Sequence, residues 1–397
     1  MIYADNAATT KLSDAAAKTI IEVLNEYANP SQPYSFSRKA KERLADARYR
    51  IAKCINADPS EIYFTSGGSE SNNWVIKGFA YNRNYSKAPI ITSAIEHHSV
   101  LRACESVESS GCPVAYLMPN KNGVIEVDTL RQMITKKTGL VSVMMVNNEI
   151  GTIQPIKELC QVAHNNGALF HTDAVQAVGH LEVDVKALGV DMLSASAHKF
   201  NGPKGVGFLY IKKGTSISPL INGGSQESGH RAGTENVAYI AGMAVALDEN
   251  IEKLNENQLK IKELRKRLIS QLRVLSFSIN GSENGIDNIL SLSFPNQSGE
   301  AMLHKLDLLG VMISTGSACD SKETQVSHVI KAIHLPDDLA EGTIRISLSS
   351  DNTLDEMDTI AEKIKRCLII KLINCHNSDI KSLKRQPTER KPQPRFT

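Results

Sequence analysis

The chain has 397 residues, of which 41% are apolar and 22% charged, with a formal net charge of +2. This is the balance of a folded globular protein too long for one simple core, so two domains are expected. It excludes a strongly basic nucleic-acid coat and a disordered polar chain, and no apolar run reaches the roughly 18 residues that a membrane-spanning helix needs.

Met1-Ile2-Tyr3-Ala4-Asp5 enters the fold without a signal peptide, which predicts a cytoplasmic protein. The seven cysteines (54, 104, 112, 160, 319, 367 and 375) are scattered and none forms a C-x-x-C pair, so neither a zinc site nor a disulfide framework is expected. From Cys375 onward the chain is basic and carries three prolines, and 375–397 is expected to be a disordered tail.

In chain order, a strand-like start ends in Asp5-Asn6-Ala7-Ala8-Thr9-Thr10. Ser13 or Asp14 can cap a helix to about residue 27, which Pro30 and Pro33 close. Apolar Ala40, Leu44, Ala47 and Ile51 predict a helix over 38–55. A strand over 61–65 then meets Ser66-Gly67-Gly68-Ser69, and an apolar helix is predicted over 74–81. Strand, glycine turn and helix start present free backbone N–H groups to an anion, and Ser69 adds a hydroxyl.

Further strands are predicted over 89–93, 114–117, 140–146, 168–173, 190–196 and 206–211, with helices between. Near-continuous apolar strands alternating with helices imply an α/β fold with a mostly parallel sheet covered on both faces. Polar groups recur at the carboxyl ends of these strands: Gly68, His97, Asn148, Asp173 and His198-Lys199. That edge is where open α/β sheets bind ligands. A glycine-rich stretch from Asn222 to Thr234 follows, then a long helical region over 236–272 within which the domain changes. Three strands near 277–280, 289–294 and 343–348 and helices near 299–309 and 354–372 make a smaller α+β unit. The division expected is a large domain over 12–255, a small domain formed by 1–11 and 256–374, and the tail.

Taken as one site, the strand ends offer an anion hole, an amine (Lys199), a carboxylate (Asp173) and a flat ring (His97). Together they describe a pyridoxal phosphate pocket. A lysine held at a turn between apolar segments can be desolvated, which suits it to Schiff-base chemistry. Asp173 with His171 lacks a third ligand nearby, so no metal site is expected.

At these residues, and from about Ile2 to about Leu372, the chain resembles the class V aminotransferase-like enzymes and, among them, the group I cysteine desulfurases of the NifS/IscS type. The resemblance is carried by Asp5 to Thr10, Thr65 to Asn73, Glu96-His97-His98, Asn147 to Gly151, His171 to Gln176, Ser194 to Gly205, Gln226 to Thr234 and Ser317-Ala318-Cys319. It implies a fold-type I architecture and a role for each matching residue. Lys199 holds pyridoxal 5'-phosphate through a Schiff base, and His97 stacks on the ring and serves proton transfer. Asp173 pairs with the ring nitrogen and Gln176 with its phenolic oxygen. Gly68, Ser69, Ser196 and His198 hold the phosphate, and Thr234 reaches the phosphate of the neighbouring subunit of a homodimer. Asn148 contacts the cofactor and, with Arg345, binds the carboxylate of the substrate, L-cysteine. Cys319 accepts the sulfur as a persulfide, leaving alanine, and passes it to an acceptor protein or scaffold docking nearby. A selenocysteine lyase, a cysteine-sulfinate-type lyase or a partner-dependent sulfur donor shares these features and stays open. The charged residues after Cys319 depart from the usual pattern, so the housekeeping iron–sulfur scaffold is not assumed as the acceptor. Neither membrane nor nucleic acid is expected as a partner.

Overall fold

The structure, a computed structural model, describes residues 1–85, 87–316 and 326–383. Cys319 and the chain from 384 onward lie outside the described residues.

The chain opens with β1 (Ile2–Tyr3), then helix Asp14–Leu24. The Ser13 hydroxyl caps that helix by accepting from the Ala16 N–H at 3.1 Å. The same hydroxyl donates to Glu249 at 2.6 Å, which ties the helix to the later helix Val237–Glu252. Helix Arg38–Cys54 follows and buries Ala40, Leu44, Ala47 and Ile51, the stripe predicted from spacing.

Seven strands form the main sheet: β2 (Ile62–Thr65), β3 (Ile90–Ser93), β4 (Val114–Leu117), β5 (Leu140–Ser142), β6 (Leu169–Asp173), β7 (Met192–Ser196) and β8 (Gly207–Ile211). Their spatial order is β2-β8-β7-β6-β5-β3-β4. All run in one direction except β8, which is antiparallel to both β2 and β7. Strands β3, β5, β7 and β8 are buried at every residue, because helices cover both faces. The sheet is thus the mostly parallel α/β layer expected. Strand β5 is shorter than the apolar run 140–146 suggested. Beyond Ser142 the Val143 and Met145 N–H groups still bond to the His171 and Asp173 carbonyls, at 3.1 and 2.8 Å.

The long helical region after the sheet is two helices, Val237–Glu252 and Leu254–Leu272, broken at Lys253. The first packs Ile240, Met243 and Leu247 into the core of the main sheet, and the second packs Ile261, Leu264 and Leu268 into a separate core. That second core is built on β9 (Ser278–Asn280), β10 (Ile289–Ser293) and β12 (Thr343–Ser347), antiparallel in the order β12-β10-β9. Strand β11 (Val311–Met312) pairs in parallel with β1, and Ile2 and Ala4 join this second core. The final helix, Leu354–Leu383, runs past residue 372 and takes in 375–383, which the composition had assigned to a disordered tail. No proline or glycine stands between Leu354 and Pro387 to stop it.

Because β2, β3, β5, β6 and β7 run the same way, their carboxyl ends open on one edge. A cleft of about 810 Å³ lies there, and Arg345 of β12 lines it from the second core. Among the described residues, no helix is long and apolar enough to cross a membrane.

Candidate active site

The cleft floor begins at the glycine turn. Strand β2 ends at Thr65 and the chain passes through Gly67 with φ 143°, a backbone conformation that favours glycine. Helix Gly68–Ala80 starts at once, six residues earlier than the apolar pattern predicted, so the polar run after Gly68 forms its first turns. The polar side chains are absorbed locally. Ser71 Oγ donates to the Gly67 carbonyl at 3.2 Å and lies 2.9 Å from Thr65 Oγ1. Strand β8 passes directly beneath: a Cβ on Gly207 would lie 2.7 Å from Gly67 Cα and 2.4 Å from the Ala195 carbonyl. The turn therefore needs glycine both within it, at Gly67, and in the strand beneath, at Gly207.

Asp173 ends β6 and is buried. Its Oδ2 accepts from Asn72 Nδ2 at 2.7 Å and its Oδ1 from the Val175 N–H at 3.0 Å. Asn72 Nδ2 also donates to Ser99 Oγ at 2.8 Å. His97 caps helix His98–Glu108, with Nδ1 accepting from the Ser99 N–H at 3.1 Å and standing 2.8 Å from Ser99 Oγ. Burial is the main cause that lowers the His97 pKa, and Lys199 lowers it further against the opposing pull of Asp173. The residue before it, Glu96, is fully buried, and this pushes its carboxyl up to about 8. Glu96 Oε1 accepts from Ser93 Oγ at 2.6 Å and from the Met144 N–H at 2.8 Å, while Oε2 has no hydrogen-bond partner.

Lys199 closes a single helical turn, Ala197–Lys199, at the end of β7. Its Nζ donates to the Ala7 and Ala8 carbonyls at 2.6 and 2.8 Å. Gln176 Nε2 donates to the same Ala7 carbonyl at 2.9 Å. The Asp5–Thr10 segment thus crosses the sheet edge, anchored by the Thr10 N–H on the His198 carbonyl at 2.8 Å. His198 Nδ1 lies 3.2 Å from Thr9 Oγ1, and burial, then Lys199 and Lys204, push its pKa down to about 4. His171 is held by hydroxyls on both ring nitrogens, Ser142 at 2.8 Å and Ser194 at 3.0 Å. Among the described residues, no group of three or more His, Cys, Asp or Glu side chains could hold a metal.

Arg345 faces the sheet edge from the middle of β12. Its Nη2 donates to Asp5 Oδ1 at 2.8 Å and its Nη1 to the Asn148 carbonyl at 3.0 Å, while Nε is buried without a partner. The glycine-rich loop is pinned at two points. Arg48 donates to both oxygens of the buried Glu227, at 2.9 and 2.8 Å, and Arg231 to both oxygens of Glu70, at 2.9 and 3.1 Å. Thr234 leaves this loop exposed, outside the cleft. Every other expected site residue lines the cleft, apart from Cys319, which lies outside the described residues. Asn72, Ser99 and Asp5 are partners that spacing alone did not single out. The available signal was their polarity beside the glycine turn, beside His97 and at the chain start.

The family profile described as Aminotransferase class-V matches residues 2–360. The chain belongs to the class V aminotransferase family. Among its relatives, "Cysteine desulfurase IscS" of Dictyoglomus turgidum is 46% identical over 375 residues, covering 92% of this chain and 95% of the relative. A solved "NifS-like protein" superposes with a TM-score of 0.88 at 38% identity, covering 93% of this chain and 99% of that one. A second solved structure, "SspA in complex with cysteine", gives a TM-score of 0.80 at 37% identity over 88% of this chain and 99% of that one. The family fold is the one described above.

Proposed function

We propose that the chain is a cytoplasmic, pyridoxal-phosphate-dependent cysteine desulfurase that takes sulfur from L-cysteine onto Cys319 and leaves L-alanine. The observation that carries this reading is the meeting of Lys199, Asp173, His97 and the glycine turn at one sheet edge, with Arg345 across the cleft. Relatives bearing the desulfurase name over nearly the whole chain support the same reading.

The donor set fits the cofactor. Gly67 and Gly68 leave a cradle that side chains would fill: a Cβ on Gly68 would meet Val175 Cγ2 at 2.6 Å, and one on Gly67 would meet Ser196 Oγ at 3.3 Å. Gly68 and Ser69 at the helix start, with Ser196 and His198, would hold the phosphate. Asp173 would keep the ring nitrogen protonated, Gln176 and Asn148 would contact the ring, and Lys199 would hold the carbonyl carbon covalently. When bound, the cofactor supplies an electron sink for bonds at the substrate's Cα.

The protein groups then have separate tasks. Arg345 offers a planar fork to the substrate carboxylate, beside Asn148. Lys199 Nζ moves the proton at Cα, and His97 presents a ring nitrogen to the cleft. The Cys319 thiolate attacks the substrate sulfur. The Cβ–S bond breaks with its electron pair going to carbon, an S–S bond forms on Cys319, and the protonated carbon product is alanine. Gly316 and Val326 flank the segment that holds Cys319, and both line the cleft. A sulfur acceptor would dock there.

Thr234, exposed and outside its own cleft, suits contact with a neighbouring subunit's phosphate site. Exposed Ile21, Leu24, Tyr27 and Phe36 supply apolar surface of the kind a homodimer buries. The test is L-cysteine added to the holoenzyme with a dithiol reductant present, which is oxidised to its disulfide as it frees the persulfide sulfur as sulfide, and sulfide and alanine are assayed together. Equal yields of the two from the wild type, and none from Cys319→Ser, are expected. Sulfide release by Cys319→Ser at the wild-type rate would rule out the persulfide route.

A further inference from the structure

Two cleft residues with assigned tasks, Asp173 and His97, are joined by one partly buried hydrogen-bond chain whose direction is fixed by chemistry. An amide nitrogen can only donate, so Asn72 Nδ2 gives one hydrogen to Asp173 Oδ2 (2.7 Å) and the other to Ser99 Oγ (2.8 Å). The reverse amide orientation would set Oδ1 against the Asp173 carboxylate, two acceptors at 2.7 Å with no hydrogen between them. Ser99 Oγ has thereby accepted, and its own hydrogen is left for His97 Nδ1 at 2.8 Å. The Ser99 backbone N–H, which cannot accept, points at the same Nδ1 at 3.1 Å. Two donors on one ring nitrogen require a lone pair there. Asn72 is buried with its Oδ1 unpartnered, so the amide forgoes its own acceptor bond while making these two donor bonds.

We propose that Asn72 and Ser99 are positioning residues: Asn72 orients Asp173 with one N–H and Ser99 with the other, and Ser99 holds the neutral His97 ring with its proton on Nε2. This rests on the functional reading above for the tasks of Asp173 and His97. It adds a direction to the chemistry. In its resting form His97 offers a hydrogen-bond donor to the cleft. To take a proton at Nε2 it would first have to carry one on Nδ1, which loses the bond from the Ser99 N–H and reverses the one with the Ser99 hydroxyl. The helix that His97 caps opposes the imidazolium in the same sense, since its positive end lies at the ring. The charged or titratable groups acting on His97 are Asp173, Lys199 and His98.

The experiment is nitrogen-15 NMR of the full chain labelled at histidine, titrated with pH without and with pyridoxal phosphate. The wild type is expected to show His97 with Nδ1 bare and Nε2 protonated in both states. Ser99→Ala removes one of the two donors, so His97 proton affinity should rise about threefold to tenfold and Nδ1–H ring should appear. Ser99→Thr keeps the hydroxyl and should restore the wild-type spectrum. With cofactor bound, Asn72→Ala should also shift the pH titration of the visible absorption band, because Asp173 loses one of its two donors. A resting His97 protonated on Nδ1, or a Ser99→Ala spectrum and midpoint identical to the wild type, overturns the proposal. Failure of the chain to bind the cofactor, with the tautomer as stated, would instead count against the functional reading.

Discussion

Arg345 illustrates how much a single side chain carries here. Two of its nitrogens are satisfied by Asp5 and Asn148, it sits in the middle of a strand, and its Nε is buried with nothing to donate to. A buried guanidinium nitrogen without a partner is costly, and the side chain that carries it lines the cleft where an anion would meet its charge. Arg345→Gln is therefore expected to raise KM for L-cysteine roughly tenfold to a hundredfold, from the loss of a charged hydrogen-bonded contact, with little change in cofactor absorption. Steady-state kinetics beside a spectrum checks both halves. Glu96 makes the second residue-scale prediction. Its folded pKa, about 8, lies above the unfolded value, so the folded state holds an extra proton over the interval between them. Stability from this group is complete below the unfolded value of about 4.3 and falls as pH rises toward the folded one, by an amount on the order of a few kcal/mol. Glu96→Gln should flatten the fall, which thermal melts between those limits would reveal. Melts with equal slopes in both proteins would contradict it.

At the scale of elements, the site depends on a turn and a strand that approach closely. Gly207 lies in β8, yet it shapes the turn after β2, because any Cβ there would strike Gly67 and the Ala195 carbonyl. Gly207→Ala is expected to weaken cofactor affinity at least tenfold by pushing out the phosphate-holding turn, while the sheet itself still forms. Equilibrium titration with pyridoxal phosphate measures this, and unchanged affinity would show that the turn is not the phosphate site. The sequence made the ligand edge legible because Lys199, Asp173 and the paired glycines each end a strongly apolar strand. It did not reveal the start of helix Gly68–Ala80, since the polar residues of its first turns look like loop until their partners are known. Asn72 and Asp173 are 101 residues apart, and nothing local connects them. The break at Lys253 and the continuation of helix Leu354–Leu383 were equally hidden. The first falls inside an unbroken helical pattern, and a basic polar composition does not by itself end a helix.

For the whole molecule, the cleft lies between two cores held by different parts of the chain. Strand β1, at the start of the chain, packs in the second core, and the segment after it then crosses the main sheet edge at Lys199. Movement of one core against the other would be felt at Arg345 and Lys199 together, through the Asp5–Ala8 segment. The exposed position of Thr234 leads to the prediction that the holoenzyme is a homodimer. Light scattering should give twice the chain mass, and Thr234→Ala should lower cofactor affinity without dissociating it. A monomer of full affinity would contradict this arrangement.

The central claim is that sulfur leaves cysteine for Cys319, and it has a direct measurement. The holoenzyme is mixed with one equivalent of sulfur-labelled L-cysteine and no acceptor, quenched, alkylated, and the peptide holding Cys319 is weighed by mass spectrometry. The account predicts one extra labelled sulfur on Cys319 and one alanine released per site, with both absent in Lys199→Ala. Alanine formed with no sulfur on Cys319, or sulfur on another cysteine while Cys319 stays unmodified, would contradict it.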